Sequence, residues 1–132
     1  MQLALYKAPG TFYDKLIRVA TCSKYSHCEL VIDGVCYSSS PRDNGVRARV
    51  IDLSSGSWDL IEVSGDPDFA LKWFKEHEGL PYDLWGAVKT VIPFSLNSED
   101  KWFCSEACAA MLQVSKPRIW TPAALGRHFT ER

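Results

Sequence analysis

Residues 101–112 read KWFCSEACAAML, a stretch with the pattern of a buried helix. An aromatic pair opens it, Cys104 follows, and the sequence then becomes rich in alanine. Apolar residues recur three, four, seven and eight positions after Cys104, which predicts one apolar helical face. Cys104 would therefore lie in the first turn of a buried helix, where free backbone N–H groups and the helix dipole favour a thiolate. A free cysteine is more often a small buried hydrophobe, so a catalytic role requires a base.

His27 is the candidate base. It begins a predicted strand at 27–32, from which its imidazole can project toward the end of a facing helix. A cysteine nucleophile needs an imidazole within hydrogen-bond reach, and the two can be far apart in sequence. The alternative for a histidine on a strand is a structural role. His77, in a charged run, and His128, in a polar C-terminal segment, are both expected to be solvated.

Length and charge restrict the class of protein. The 132 residues suit one domain, taken as 1–132, and the 46% hydrophobic content can form a core. Fifteen basic and sixteen acidic residues give a net charge of -1, without a basic run, which argues against nucleic acid as a partner. Residues 46–49, VRAR, are assigned to the solvent face of a strand. The oligomeric state does not follow from the sequence.

The start of the chain and its cysteines bear on localisation. The first ten residues lack the basic and apolar regions of a secretory signal, and no apolar run is long enough for a transmembrane segment. The five cysteines form an odd set, so at least one thiol cannot pair within the chain. Reduced thiols and a cytoplasmic location at synthesis are therefore expected. Export by another route stays open.

The order of predicted elements indicates an α+β fold, with an antiparallel sheet packed against helices. A two-residue hairpin turn is predicted at Asp33-Gly34. The predicted strands cover residues 2–7, 27–32, 35–40, 46–53 and 58–63, the last two flanking a turn at 54–57. The predicted helices cover residues 11–20, 66–78, 82–91 and 104–115, followed by a short helix from residue 121.

Zinc binding is the competing use of the cysteines. Cys22, His27, Cys28 and Cys36 fall within fifteen residues. Structural zinc sites prefer two tight pairs of ligands, which this spacing lacks. His27 and Cys28 are neighbours on a strand and point to opposite faces, so they do not easily share one ion. No metal and no other cofactor is predicted, and Cys108 is expected to pack in the core.

Three motifs resemble those of a known superfamily. Residues 18–32, RVATCSKYSHCELVI, look like the histidine motif of the circularly permuted NlpC/P60 superfamily of papain-like enzymes. Residues 79–86, GLPYDLWG, and 102–106, WFCSE, look like its tyrosine and cysteine motifs. Histidine precedes cysteine here, as in the permuted members. The resemblance extends over about residues 3 to 112 and is greatest to small bacterial and phage proteins of this group.

This resemblance implies a papain-like fold and a cysteine-dependent hydrolase, an amidase or peptidase. Cys104 would be the nucleophile, His27 the base, and Tyr82 a group that binds the substrate carbonyl or its oxyanion. The implied substrate is a peptide or acyl amide, with a peptide amide of peptidoglycan as first choice. A lipid or acyl-amide hydrolase or acyltransferase, and a non-catalytic binding protein, are the alternatives. For Tyr82 the alternative is packing in the core.

A third site residue, orienting His27, follows from the predicted hairpin. If Ile32 pairs with Val35, Glu29 lies opposite Ser38 and His27 opposite Ser40, all on one face, with Ser39 on the other. Glu29 is the only carboxylate of this set and can hold the imidazole and stabilise its charged form. The alternative for Glu29 is a solvated strand carboxylate, which would leave Ser38 or Ser40 as the candidate, and a bulge in the hairpin would shift this register.

Overall fold

The computed structural model describes residues 1–8, 12–20, 23–40, 43, 45–81 and 102–131. It contains an antiparallel sheet of five strands in the order β4-β3-β2-β1-β5. The expected α+β class with an antiparallel sheet is confirmed. The strands are β1 (Gln2–Tyr6), β2 (His27–Ile32), β3 (Val35–Ser40), β4 (Gly45–Arg49) and β5 (Trp58–Glu62).

Helices pack on one face of this sheet. The helix α3 (Cys104–Met111) lies against β2, β3 and the helix α2 (Pro67–His77). The helix α4 (Pro122–Thr130) lies against β1 and β5. Within the described ranges, no helix has the length and apolar character needed to cross a membrane. The helices are α1 (Phe12–Ala20), α2 (Pro67–His77), α3 (Cys104–Met111) and α4 (Pro122–Thr130), with a 3-10 turn at Pro117–Ile119.

Local capping signals set the starts of two helices as predicted. Asp66 accepts a hydrogen bond from the backbone N–H of Asp68 at 3.0 Å and begins α2. Thr121 accepts one from the N–H of Ala124 at 3.2 Å and begins α4. The predicted helix at 82–91 lies outside the described residues.

The β2–β3 hairpin has the predicted register. Ile32 pairs with Val35 across the turn, and Leu30 pairs with Tyr37. Asp33 and Gly34 have φ values of 50° and 80°, as a type I′ turn requires. This turn matches the right-handed twist of the strands, so a local dipeptide determines which side chains of β2 and β3 share a face.

The two faces of the sheet have different coverings. The helix-side face, which includes Leu3, Leu5, Cys28 and Leu30, forms the main core with α2, α3 and α4. The outer face carries a smaller apolar cluster of Ala4, Val31 and Cys36, covered by Ile51 and Leu53.

The connection between β4 and β5 corrects the sequence prediction. The strand predicted at 46–53 ends at Arg49, and β4 and β5 lie at opposite edges of the sheet. The chain between them crosses the outer face, because Ile51 and Leu53 bury apolar surface against that cluster. These two side chains therefore cover the sheet instead of extending a strand.

Candidate active site

Cys104 is the first residue of α3 and is fully buried. The carboxylate of Glu106 reaches back to accept the backbone N–H of Phe103 at 2.8 Å, which completes one half of a capping box. The carbonyl of Trp102 accepts a hydrogen bond from the Ser39 hydroxyl at 2.5 Å. These bonds join the start of α3 to β3 and fix the position of the thiol relative to the sheet.

His27 lies at the N-terminal end of β2, next to the start of α3. It is the first residue of the strand and pairs with Tyr6 of β1. Its imidazole interacts with the Cys104 thiol, and each group shifts the pKa of the other through charge and hydrogen bonding, although α3 packs on the helix-side face. The terminal position of His27 on the strand explains this contact, since a ring at the end of a sheet can reach groups on either side.

Glu29 holds the other side of the ring. Its Oε2 atom is hydrogen-bonded to Nε2 of His27, so the carboxylate engages one of the two ring nitrogens. The Glu29 side chain is fully buried, whereas that of His27 is 14% exposed. The predicted arrangement of Glu29 beside His27 is therefore present, because residues two apart on a strand share a face. The register also leads Ser38 to the same face, but its hydroxyl donates to the Cys28 carbonyl at 2.7 Å.

Arg47 is the residue that the sequence analysis missed. Its Nη1 and Nη2 atoms donate to Oε1 and Oε2 of Glu29 at 2.5 and 2.7 Å. Its Nε donates to Asp43 at 2.7 Å. The assignment of the VRAR segment to a solvent face was wrong for Arg47, whose side chain is only 14% exposed. A buried carboxylate needs a positively charged partner. This requirement of Glu29 is the signal that could have indicated Arg47.

These contacts determine the charges at the site. Burial alone would lower the pKa of His27, but Cys104 and Glu29 raise it to about 10. Burial alone would raise the pKa of Cys104, but a hydrogen bond from the Cys28 thiol and the positive charge of His27 lower it to about 6. Both shifts favour the thiolate–imidazolium form of the pair.

Burial disfavours the thiolate at two other described cysteines, Cys28 and Cys36. Cys28, Cys36 and Cys108 are buried and free, like Cys104. Burial raises the pKa of Cys28 well above its ordinary value and that of Cys36 to about 11. Cys108 packs in the main core, as expected, with its sulfur 3.9 Å from the carbonyl oxygens of Cys28 and Tyr37. Cys104 is thus the described cysteine with a depressed pKa.

Cys28 and Cys36, two of the four residues considered as zinc ligands, are not brought together. Cys28 belongs to the helix-side core and Cys36 to the outer cluster, so the sheet separates them. Cys22 lies outside the described residues. Among the residues with described positions, no group of three His, Cys, Asp or Glu side chains could hold a metal ion.

The other two histidines are less solvated than expected. His77 stacks on Trp73 with ring centroids 3.9 Å apart, and its Nδ1 lies 2.7 Å from the Trp73 carbonyl oxygen. His128 contacts Trp120 and Phe129 edge-on. Neighbouring aromatic rings cover part of each imidazole, which the charge of the surrounding sequence does not reveal.

Tyr82 lies outside the described residues, so its place relative to Cys104 stays a prediction. The preceding segment is tied to the site nonetheless. The carbonyl of Pro81 accepts the backbone N–H of Trp102 at 2.9 Å, and the carbonyl of Leu80 accepts that of Val46 at 2.9 Å. Residues 80 and 81 therefore join the edge strand β4 to the start of the cysteine motif.

Comparison of the chain with models of known protein families and with curated proteins found no match.

Proposed function

We propose that this protein is a cysteine-dependent hydrolase of amide bonds, with Cys104 as nucleophile, His27 as acid and base, and Glu29 as the residue that orients the ring. One observation carries the proposal: a buried thiol at a helix start interacts with an imidazole that is held by a carboxylate at one ring nitrogen. This is the arrangement that nucleophilic cysteine catalysis requires. We also propose the papain-like fold and the permuted NlpC/P60 relationship, on the basis of the three motifs.

The first half of the reaction forms a thioester. The Cys104 thiolate attacks the amide carbonyl carbon, and the electron pair of the C=O double bond moves to oxygen. The backbone N–H of Cys104, at the start of the helix, has no acceptor within α3 and would donate to this oxyanion. The Tyr82 hydroxyl is the second proposed donor. His27 then gives its proton to the leaving nitrogen as the C–N bond breaks.

The second half restores the enzyme. Neutral His27 takes a proton from water, and the water oxygen forms a bond with the thioester carbonyl carbon. The C–S bond breaks, the acid product leaves, and Cys104 departs as a thiolate. His27 retains the proton, so the thiolate–imidazolium pair of the resting site is regenerated. The Glu29 carboxylate stabilises the imidazolium both in the resting enzyme and after His27 has taken the proton from water.

The proposed substrate is a peptide amide of bacterial cell-wall peptidoglycan. This choice follows the resemblance of the three motifs to bacterial and phage proteins. The same chemistry applied to a lipid or acyl amide gives an acyl-amide hydrolase, or an acyltransferase if an alcohol or amine replaces water. The choice of substrate therefore has to come from a direct test.

The test has two stages. Iodoacetamide at pH 6, followed by mass spectrometry of peptides, should label Cys104 before any other cysteine. Labelling of Cys36 or Cys22 first, with Cys104 unmodified, would contradict the proposed thiol chemistry and favour a non-catalytic binding protein. The native protein and a Cys104→Ala control are then incubated with purified peptidoglycan and with lipid amides. Products present only with the native protein identify the substrate class.

A further inference from the structure

We propose that Arg47 is a positioning residue of this site, which locks the Glu29 carboxylate in the orientation that holds His27. The inference rests on the proposed thiol chemistry of Cys104 and extends it to a residue on the edge strand β4. Arg47 lies on β4, Glu29 on β2, and the two are joined by a bidentate ion pair across the intervening strand β3.

The sheet leaves room for this contact. Arg47 pairs with Ser38 of β3, and the register of the β2–β3 hairpin leads Ser38 to a position beside Glu29. Two strand spacings amount to about 10 Å between β2 and β4, a distance that two long side chains can bridge. Ser38 is small and directs its hydroxyl to the Cys28 carbonyl, so it does not obstruct the guanidinium.

The ion pair fixes the plane of the carboxylate. Each Glu29 oxygen accepts one N–H of Arg47, and Oε2 also contacts His27. Parallel bonds of this kind specify orientation as well as supplying energy. Asp43 accepts the Nε–H of Arg47 at 2.7 Å and so restrains the guanidinium from the other side. The carboxylate cannot rotate away from the ring without breaking two charge-assisted bonds.

Charge balance gives Arg47 a second effect. Cys104, His27, Glu29 and Arg47 form an alternating series of thiolate, imidazolium, carboxylate and guanidinium. Cys36 also interacts electrostatically with Glu29, and it is a neutral thiol whose pKa is raised by burial and by Glu29 itself. Burial raises the pKa of Glu29, but His27 and Arg47 lower it below its ordinary value.

Without Arg47, two buried anions would share one cation, which is unfavourable in a site of low polarity. Glu29 would then bind a proton at higher pH and hold the imidazolium less strongly. Loss of the guanidinium charge also disfavours the Cys104 thiolate directly, so the pKa of Cys104 would rise. The pH range over which the alkylation rate of Cys104 rises is therefore expected to move to higher pH.

The experiment measures the rate of Cys104 alkylation by iodoacetamide from pH 4.5 to 9, with peptide mass spectrometry and circular dichroism to verify folding. Arg47→Met keeps the length of the side chain and removes its charge. Arg47→Lys keeps the charge and removes the bidentate geometry. Arg49→Met is the matched control, because Arg49 lies two residues along β4, contacts Asp43 at 3.5 Å and is 57% exposed.

Arg47→Met should label about tenfold more slowly than the native protein at pH 6, because the thiolate fraction falls tenfold per pKa unit below the midpoint. Arg47→Lys should lie between the two, and Arg49→Met should match the native protein. An unchanged pH profile in folded Arg47→Met overturns the inference. If Arg47→Met does not fold, native labelling in Arg47→Lys overturns it. Unselective labelling of the native protein would instead contradict the proposed function.

Discussion

Glu29 and His27 lie two residues apart on β2 and are hydrogen-bonded through Oε2 and Nε2, so the carboxylate engages one of the two ring nitrogens. This relationship fixes the orientation of the ring and places the charge of Glu29 where the imidazolium forms.

Glu29→Gln should reduce the reactivity of Cys104. The substitution keeps the size of the side chain but removes the negative charge that helps to raise the pKa of His27. We expect the alkylation rate at pH 6 to fall about tenfold, because the thiolate loses part of its imidazolium partner. Glu62→Gln, which changes an exposed carboxylate of β5, is the control and should label like the native protein. Equal rates in the two variants would leave Glu29 as a purely structural residue.

Labelling and turnover should have different pH profiles. The pKa of Cys104 is lowered to about 6, so alkylation should rise about tenfold per pH unit below this value and level off above it. Turnover also needs the imidazolium as acid, and the pKa of His27 is raised to about 10. Hydrolysis should therefore decline above pH 10 while alkylation does not. If the rates in both assays instead rose with pH around a single pKa of about 8.5, Cys104 would be an ordinary thiol.

Cys28→Ala should weaken the thiolate. The Cys28 thiol donates a hydrogen bond to Cys104, which lowers the pKa of the nucleophile. Its loss should raise that pKa and slow alkylation at pH 6 several-fold, with a loss of about 1 kcal/mol in stability from the small cavity. Cys36→Ala, on the outer face, is the matched control. Both rates are read by mass spectrometry, and faster labelling in Cys28→Ala would be inconsistent with a donor role.

Gly45→Ala should destabilise the edge that carries residues 79–81. Gly45 has a φ of 125°, and a Cβ there would lie 2.0 Å from the carbonyl oxygen of Leu80. We expect a loss of about 2–4 kcal/mol in the free energy of unfolding, measured in urea. Gly56 also has a positive φ, 85°, but a Cβ there would meet no atom within 4 Å. Gly56→Ala should therefore reduce the free energy of unfolding by only about 1–2 kcal/mol. Equal losses would show that the edge moves to accommodate the methyl group.

Tyr82→Phe tests the residue implied only by the motif resemblance. The change removes the hydroxyl and keeps the ring, so a role in binding the oxyanion predicts a lower kcat with little change in melting temperature. Loss of one oxyanion donor reduces kcat by about a hundredfold in well-studied enzymes. A substrate identified by the incubations above is needed for this measurement. Native activity in the variant would assign Tyr82 to packing.

Local sequence was sufficient for the hairpin and for the place of Cys104. The Asp33-Gly34 dipeptide can adopt two positive φ values, and strand alternation then determines that Glu29 and His27 share a face. The start of α3 follows in the same way from the spacing of apolar residues after Cys104. These features depend on the backbone within a few residues, so they can be predicted without the rest of the molecule.

Tertiary structure alone decided which distant groups meet. The contact of Arg47 with Glu29 depends on the pairing of β4 with β3, and the interaction of Cys104 with His27 depends on where α3 packs against β2. The alternation of side chains along β4 predicts which residues of that strand share a face with Arg47. It does not predict which residues of other strands lie beside Arg47, because strand order and packing are set by burial of apolar surface across the whole sheet. A buried carboxylate therefore found its cation two strands away, where no local pattern indicated it.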